Sequence, residues 1–105
     1  MREEITNGAD VVLVSAVSGF EIALKHWLGK MPEAGPLLAN FTRWAAADSF
    51  ELLDVSLTHA MTAGALDWAH KDPFDRLLVA QALTDDLILV SNEKRFGRTG
   101  VKLLW

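Results

Sequence analysis

The run His70-Lys71-Asp72-Pro73-Phe74-Asp75-Arg76 places two carboxylates at the mouth of a helix that continues almost wholly apolar, Leu77-Leu78-Val79-Ala80-Gln81-Ala82-Leu83. Asp72 reads as the N-cap and Pro73 as the first helical residue. Asp75 falls in the first turn, where an anion suits the helix dipole. Two further acids follow apolar runs: Glu21, after residues 11–14, and Glu93, after residues 87–91. Converging carboxylates are what a hard divalent cation needs, and a cation so held activates water and neutralises phosphate charge. Glu21, Asp75 and Glu93 are far apart in the chain, so only the fold can bring them together.

Each acid also has a plainer reading. Ser18-Gly19-Phe20-Glu21 fits a capping box, in which Glu21 returns a hydrogen bond to the helix start. Glu21 also stands one helical turn before Lys25, as an ion pair would. Asp72 is most simply a cap. Asp75 serves a helix dipole as well as it serves a metal. Glu93 alone reads as a solvated turn residue. Arg76 is placed either to pair with an acid or to reach a phosphate.

The elements that must position these residues are short. Residues 2–8 read as the last turns of a helix ending at Asn7-Gly8. Residues 11–14 form a β-branched strand. A helix capped by Ser15 or Ser18 runs to about Leu28, with Val17, Phe20, Leu24, Trp27 and Leu28 as its apolar face and Gly29 as its stop. Residues 32–36 are a loop, 37–47 an amphipathic helix, 50–55 a strand and 58–65 a short helix. The helix 72–85 and two buried strands, 87–91 and 102–105, complete the chain. Strands alternating with helices predict an α/β/α sandwich on a mainly parallel sheet, which binds ligands beyond the carboxyl ends of its strands.

Composition narrows the function classes. The 105 residues suffice for one small domain and one core. Half are hydrophobic, with four Trp and five Phe, which excludes a disordered tail. There is no cysteine, so neither a disulfide framework nor a thiolate metal site, as fits an intracellular protein. No stretch approaches the ~20 apolar residues of a membrane span, and the charged start Met1-Arg2-Glu3-Glu4-Ile5 is unlike a signal peptide. A net charge of −4 argues against binding nucleic acid by phosphate contacts alone. It is compatible with a nuclease whose acids surround a metal. Lys94, Arg95, Arg98 and Lys102 near the C-terminus read as a solvated loop or a phosphate-contacting patch. His26, His59 and His70 show no metal-ligand spacing, and no phosphate-binding glycine loop or GxSxG elbow occurs. Trp27 and Trp44 read as core, and Trp105 as packing where it closes the last strand.

Three blocks together resemble a known family. HKDPFDRLLVAQAL, then Leu87-Ile88-Leu89-Val90-Ser91 and the closing Gly100-Val101-Lys102-Leu103-Leu104-Trp105, are similar to the C-terminal half of PIN-domain toxins. These are the VapC-type ribonucleases of bacterial toxin–antitoxin pairs. Upstream, Val14-Ser15-Ala16-Val17-Ser18-Gly19-Phe20-Glu21-Ile22-Ala23-Leu24-Lys25 and Leu28-Gly29-Lys30 resemble the family's second block. The resemblance covers nearly the whole chain, in the family's order.

The resemblance implies a single PIN-like domain over residues 1–105 and a cytoplasmic endoribonuclease. Mg²⁺ or Mn²⁺ would be held by Glu21, Asp75 and Glu93, with Asp72, Ser91 and Arg76 in support. Glu93 stands where the family usually has Asp, two positions after a Thr that is Ser91 here. The implied partners are RNA and a cognate antitoxin, and homodimers are common among such toxins. Two departures stand out. Asp86 replaces the usual glycine at a helix end and accepts a left-handed backbone less readily. The family's opening strand, which ends in a metal-binding Asp, has no counterpart before residues 11–14, and Asp10 precedes that strand rather than following it. An N-terminally truncated PIN domain is therefore expected, with exposed apolar edges, weak Mg²⁺ binding and poor or no RNA cleavage. A non-catalytic remnant acting through protein contacts is the competing expectation.

Overall fold

The computed structural model describes residues 4–6, 12–47, 50–91 and 94–104. A five-stranded sheet has the order β3-β2-β1-β4-β5, with β1 Glu4–Thr6, β2 Val12–Ser15, β3 Glu51–Leu53, β4 Ile88–Val90 and β5 Lys102–Leu104. β2 pairs parallel with β3, and β4 parallel with β5. β1 lies between the two pairs and runs antiparallel to both neighbours. Four strands therefore share one direction and only the central one is reversed, giving a mixed α/β sheet.

The reversal corrects the helix expected over residues 2–8. Strand β1 forms there, and its Ile5 lies opposite both Leu13 and Leu89 at the centre of the sheet. Residues 7–11 are too short a connection for a parallel crossover, so β2 returns antiparallel. The short strand takes the centre of the sheet, but it runs antiparallel and, as Glu4-Ile5-Thr6, carries no Asp in place of the family's opening ligand. Ile5 is 1% exposed and Leu89 fully buried, so no apolar edge opens between them. Asn7, Gly8, Asp10 and Trp105 lie outside the described residues.

Helix α1, Ala16–Trp27, begins directly after β2. Ser15 caps it, with Oγ accepting from the Val17 amide at 3.0 Å. Ser18 lies buried inside the helix, so the Ser18–Glu21 capping box does not form. The helix stops where Gly29 takes φ 79°. Its faces depart from the expected pattern. Val17 and Ser18 are buried and Glu21, Ile22, Lys25 and His26 half-buried, whereas Phe20, Leu24, Trp27 and Leu28 face outward.

The expected loop at 32–36 is a 3-10 turn, Pro32–Ala34, running into α2, Gly35–Ala39. Asn40 separates α2 from α3, Phe41–Ala47, so the single helix expected over 37–47 is two. Trp44 of α3 packs between Phe41 and Phe50. α4, Leu57–Ala65, is capped by Ser56, and α5, Pro73–Thr84, by Asp72. α5 packs against α4, α1 and β4. It supplies Leu78, Val79 and Ala82 to a core that also holds Ile5, Val17, Leu87, Leu89, Phe96 and Val101. Asp86, after α5, takes φ 54°, the left-handed conformation its position demands.

Candidate active site at the entrance of α5

α5 is the most deeply buried helix described, yet it opens on charge. Asp72 keeps an extended backbone and accepts from the Phe74 amide at 2.9 Å, as a cap does. Pro73 follows at the first helical position, where no amide hydrogen is needed. One turn on, Asp75 is only 8% exposed. Burying an ionised carboxylate is costly unless donors replace its water. Two do so on one oxygen: Oδ2 accepts from His70 Nε2 at 2.7 Å and from Arg95 Nη2 at 2.9 Å. Both bonds are charge-assisted and strong. Oδ1 has no hydrogen-bond partner among the described residues. His70, Asp72 and Asp75 each offer a ligand atom within 4.8 Å of the others.

The irregular segment carrying His70 is held by Arg76, which is half-buried and pairs with no acid among the described residues. Its guanidinium donates to five main-chain carbonyls: Ala63 at 2.9 Å, Gly64 at 3.3 Å, Leu66 at 2.9 Å, Trp68 at 2.7 Å and His70 at 3.0 Å. Ala63 and Gly64 lie in the last turn of α4, whose carbonyls have no partner within the helix. The rest belong to backbone outside regular structure, which must find donors elsewhere. One side chain satisfies all five and fixes the path from α4 to α5.

A second polar connection ties the same end of the sheet together. Gln81, fully buried in α5, accepts from Ser15 Oγ at 2.6 Å and donates to the Asp54 carbonyl at 3.2 Å. It joins the ends of β2 and β3 to α5. At the far end of α5, His59 accepts from the Ser56 amide through Nδ1. Its proton therefore sits on Nε2 and is donated to Asp85 at 3.0 Å.

The other expected site residues fall as follows. Glu21 lies on the inward side of α1, 24% exposed, in an ion pair with Lys25 at 2.9 Å. It is not among the three residues whose ligand atoms cluster. Ser91, 1% exposed, follows β4 at the carboxyl edge of the sheet. Glu93 lies outside the described residues. The patch of basic residues divides: Arg95 reaches Asp75, whereas Lys102 pairs with Asp86 at 2.6 Å. His70 and Gln81 were not singled out from sequence, and Arg95 was named only within the basic cluster near the C-terminus, not as a partner of Asp75. The only sequence signal for His70 is its place five residues before Asp75.

The family model for the PIN domain matches residues 2–102. The chain belongs to the PIN-domain family. No curated protein and no solved structure gives a significant match. PIN domains are nucleases that act on nucleic acid and use divalent metals, and the α/β fold agrees with that assignment. Among the described residues no helix is long and apolar enough to cross a membrane. The α5 entrance fits a divalent cation by donor chemistry. Asp72 and Asp75 offer oxygen, as hard cations prefer. His70 Nε2, spent as a donor to Asp75, orients that carboxylate in the manner of outer-shell partners in metal sites.

Proposed function

We propose that this PIN domain is a metal-dependent endoribonuclease that acts as the toxin of a toxin–antitoxin pair in the cytoplasm. The observation that carries the reading is Asp75: a buried carboxylate at a helix entrance, fixed through one oxygen by His70 and Arg95, with Asp72 beside it. Asp75 is the central metal ligand of this reading, and Asp72 a flanking oxygen donor. Glu21 and Glu93 are the further ligands implied by the family pattern. Glu21 sits one turn into the helix that leaves β2, on its inward side, in keeping with that role.

A bound Mg²⁺ or Mn²⁺ supplies a more acidic water and neutralises charge on the phosphodiester. The chain's own residues orient and shield. His70 and Arg95 hold the Asp75 carboxylate in one rotamer. Arg76 keeps His70 in place. Ser91, buried beneath the same edge, is a supporting residue.

The toxin role draws support from α1. Phe20, Leu24 and Trp27 form an outward stripe, with Trp27 80% exposed. Apolar side chains so displayed mark a protein-contact surface, as an antitoxin segment or a second copy of the chain would use. The same stripe favours the alternative, a non-catalytic PIN domain that works only through protein contacts, and so does the Arg95 cation resting on Asp75.

Incubating the protein with single-stranded RNA in Mn²⁺ and in EDTA separates the two readings. Cleavage that requires the metal and disappears in Asp75→Asn supports the nuclease. An intact RNA in every condition supports the protein-contact role.

A further inference from the structure

Two walls face each other across an open cleft of about 690 Å³ beside Asp75. One wall is the segment before α5, with Asp67, Trp68, Ala69 and His70. The other is the 3-10 helix Lys94–Thr99, with Arg95 and Arg98. Asp75 joins them, because its Oδ2 accepts from His70 on one side and Arg95 on the other.

The first wall is irregular backbone, ordinarily the least stable part of a fold. Here it is built in advance. Arg76 holds the carbonyls of Leu66, Trp68 and His70. The Trp68 ring packs against His70 at 4.8 Å and against buried Phe96 at 5.8 Å. A cleft already ordered costs an incoming ligand less than one that must form around it.

The lining has a definite chemistry. Trp68 and His70 present aromatic rings. Arg98 is exposed and has no partner among the described residues. Rings beside a guanidinium suit unpaired bases and the phosphates that link them. Asp67, exposed on the opposite wall, repels phosphate and leaves Arg98 as the favoured contact. The volume lies in the range of small-molecule sites, which fits one nucleotide better than a duplex.

We propose that this cleft binds the nucleotide adjoining the scissile phosphate of single-stranded RNA, with Arg98 on a phosphate and Trp68 against a base. The proposal rests on the nuclease reading and adds to it the side chains that hold the substrate. An acidic protein segment is the other occupant that a guanidinium would attract, and the test distinguishes it.

The experiment is fluorescence anisotropy with a short labelled single-stranded RNA in Ca²⁺, over a series of salt concentrations, alongside a cleavage assay in Mn²⁺. Arg98→Ala is expected to weaken binding about tenfold. It should also lower the slope of log affinity against log salt by about 0.7, the loss of one phosphate contact on a single strand. A structural defect would not produce that slope change. Quenching of tryptophan fluorescence on binding should shrink in Trp68→Phe, which keeps an aromatic ring in the packing. If the wild type binds and cleaves RNA while Arg98→Ala changes neither affinity nor slope, the cleft proposal is overturned and the nuclease stands; the cleft is then free to serve an acidic protein. A duplex bound as tightly as the single strand overturns it as well. If the wild type neither binds nor cleaves RNA, the nuclease reading itself falls.

Discussion

Nε2 of His70 lies 2.7 Å from Oδ2 of Asp75, so an imidazole from the irregular segment before α5 orients the carboxylate in that helix's first turn. Among the described residues the second oxygen, Oδ1, keeps no hydrogen-bond partner, on a side chain that is buried. In metal sites, removing such an outer partner typically lowers metal affinity or activity ~10–100-fold. His70→Ala is expected to fall in that range, measured as Mn²⁺ affinity by electron paramagnetic resonance and as RNA cleavage rate. The fold should survive, because His70 is half-buried and outside the main core.

Arg76 gives the second prediction. A lysine carries the same charge but cannot present a fork to five carbonyls. Arg76→Lys is expected to cost about 2–3 kcal/mol of stability, as disruption of a hydrogen-bonded network does. Hydrogen exchange should quicken across residues 64–70 more than in β4. Uniform exchange across both regions would count against the positioning role.

Gln81 gives the third. Replacing it with Leu keeps the volume but leaves the Asp54 carbonyl and the Ser15 hydroxyl without their partner. A loss of roughly 1–3 kcal/mol is expected in urea unfolding. Ser15→Ala removes the cap of α1 as well as the Gln81 contact and should cost about 1–2 kcal/mol. The double variant should lose less than the sum, because the two residues share one bond.

The outward face of α1 predicts the opposite behaviour. Trp27→Ala should change stability by less than ~0.5 kcal/mol, as exposed sites do. It should at the same time weaken any self-association seen by sedimentation. A large fall in melting temperature would show that Trp27 is packed in solution.

The short motifs at element boundaries were legible in the sequence. Asp72-Pro73 announced the start of α5, Gly29 the end of α1, and the β-branched runs gave β2 and β4. Asp86 was singled out as an unfavourable left-handed residue, and it holds φ 54°. Long-range pairing was less legible. The place of residues 4–6 depends on Leu13 and Leu89, which no local pattern reveals, and a three-residue strand carries too little period to be read. Helix α1 misled because its apolar residues point outward, so periodicity found a face without saying which way it turned. Asp75, with Asp72, was visible as an acid at a helix mouth. Its partners His70 and Arg95 were not, since each reaches Asp75 only through the fold, and Glu93 lies outside the described residues.

Asp75 is proposed to hold a catalytic divalent cation. The most direct test of that role is Mn²⁺ binding and single-stranded RNA cleavage measured together on wild type and Asp75→Asn. Metal-dependent cleavage is expected in the wild type, slow for want of the family's first Asp, and both Mn²⁺ binding and cleavage should be lost in the variant. Cleavage that persists in Asp75→Asn, or a wild type that binds no Mn²⁺ and leaves RNA intact, would contradict that role.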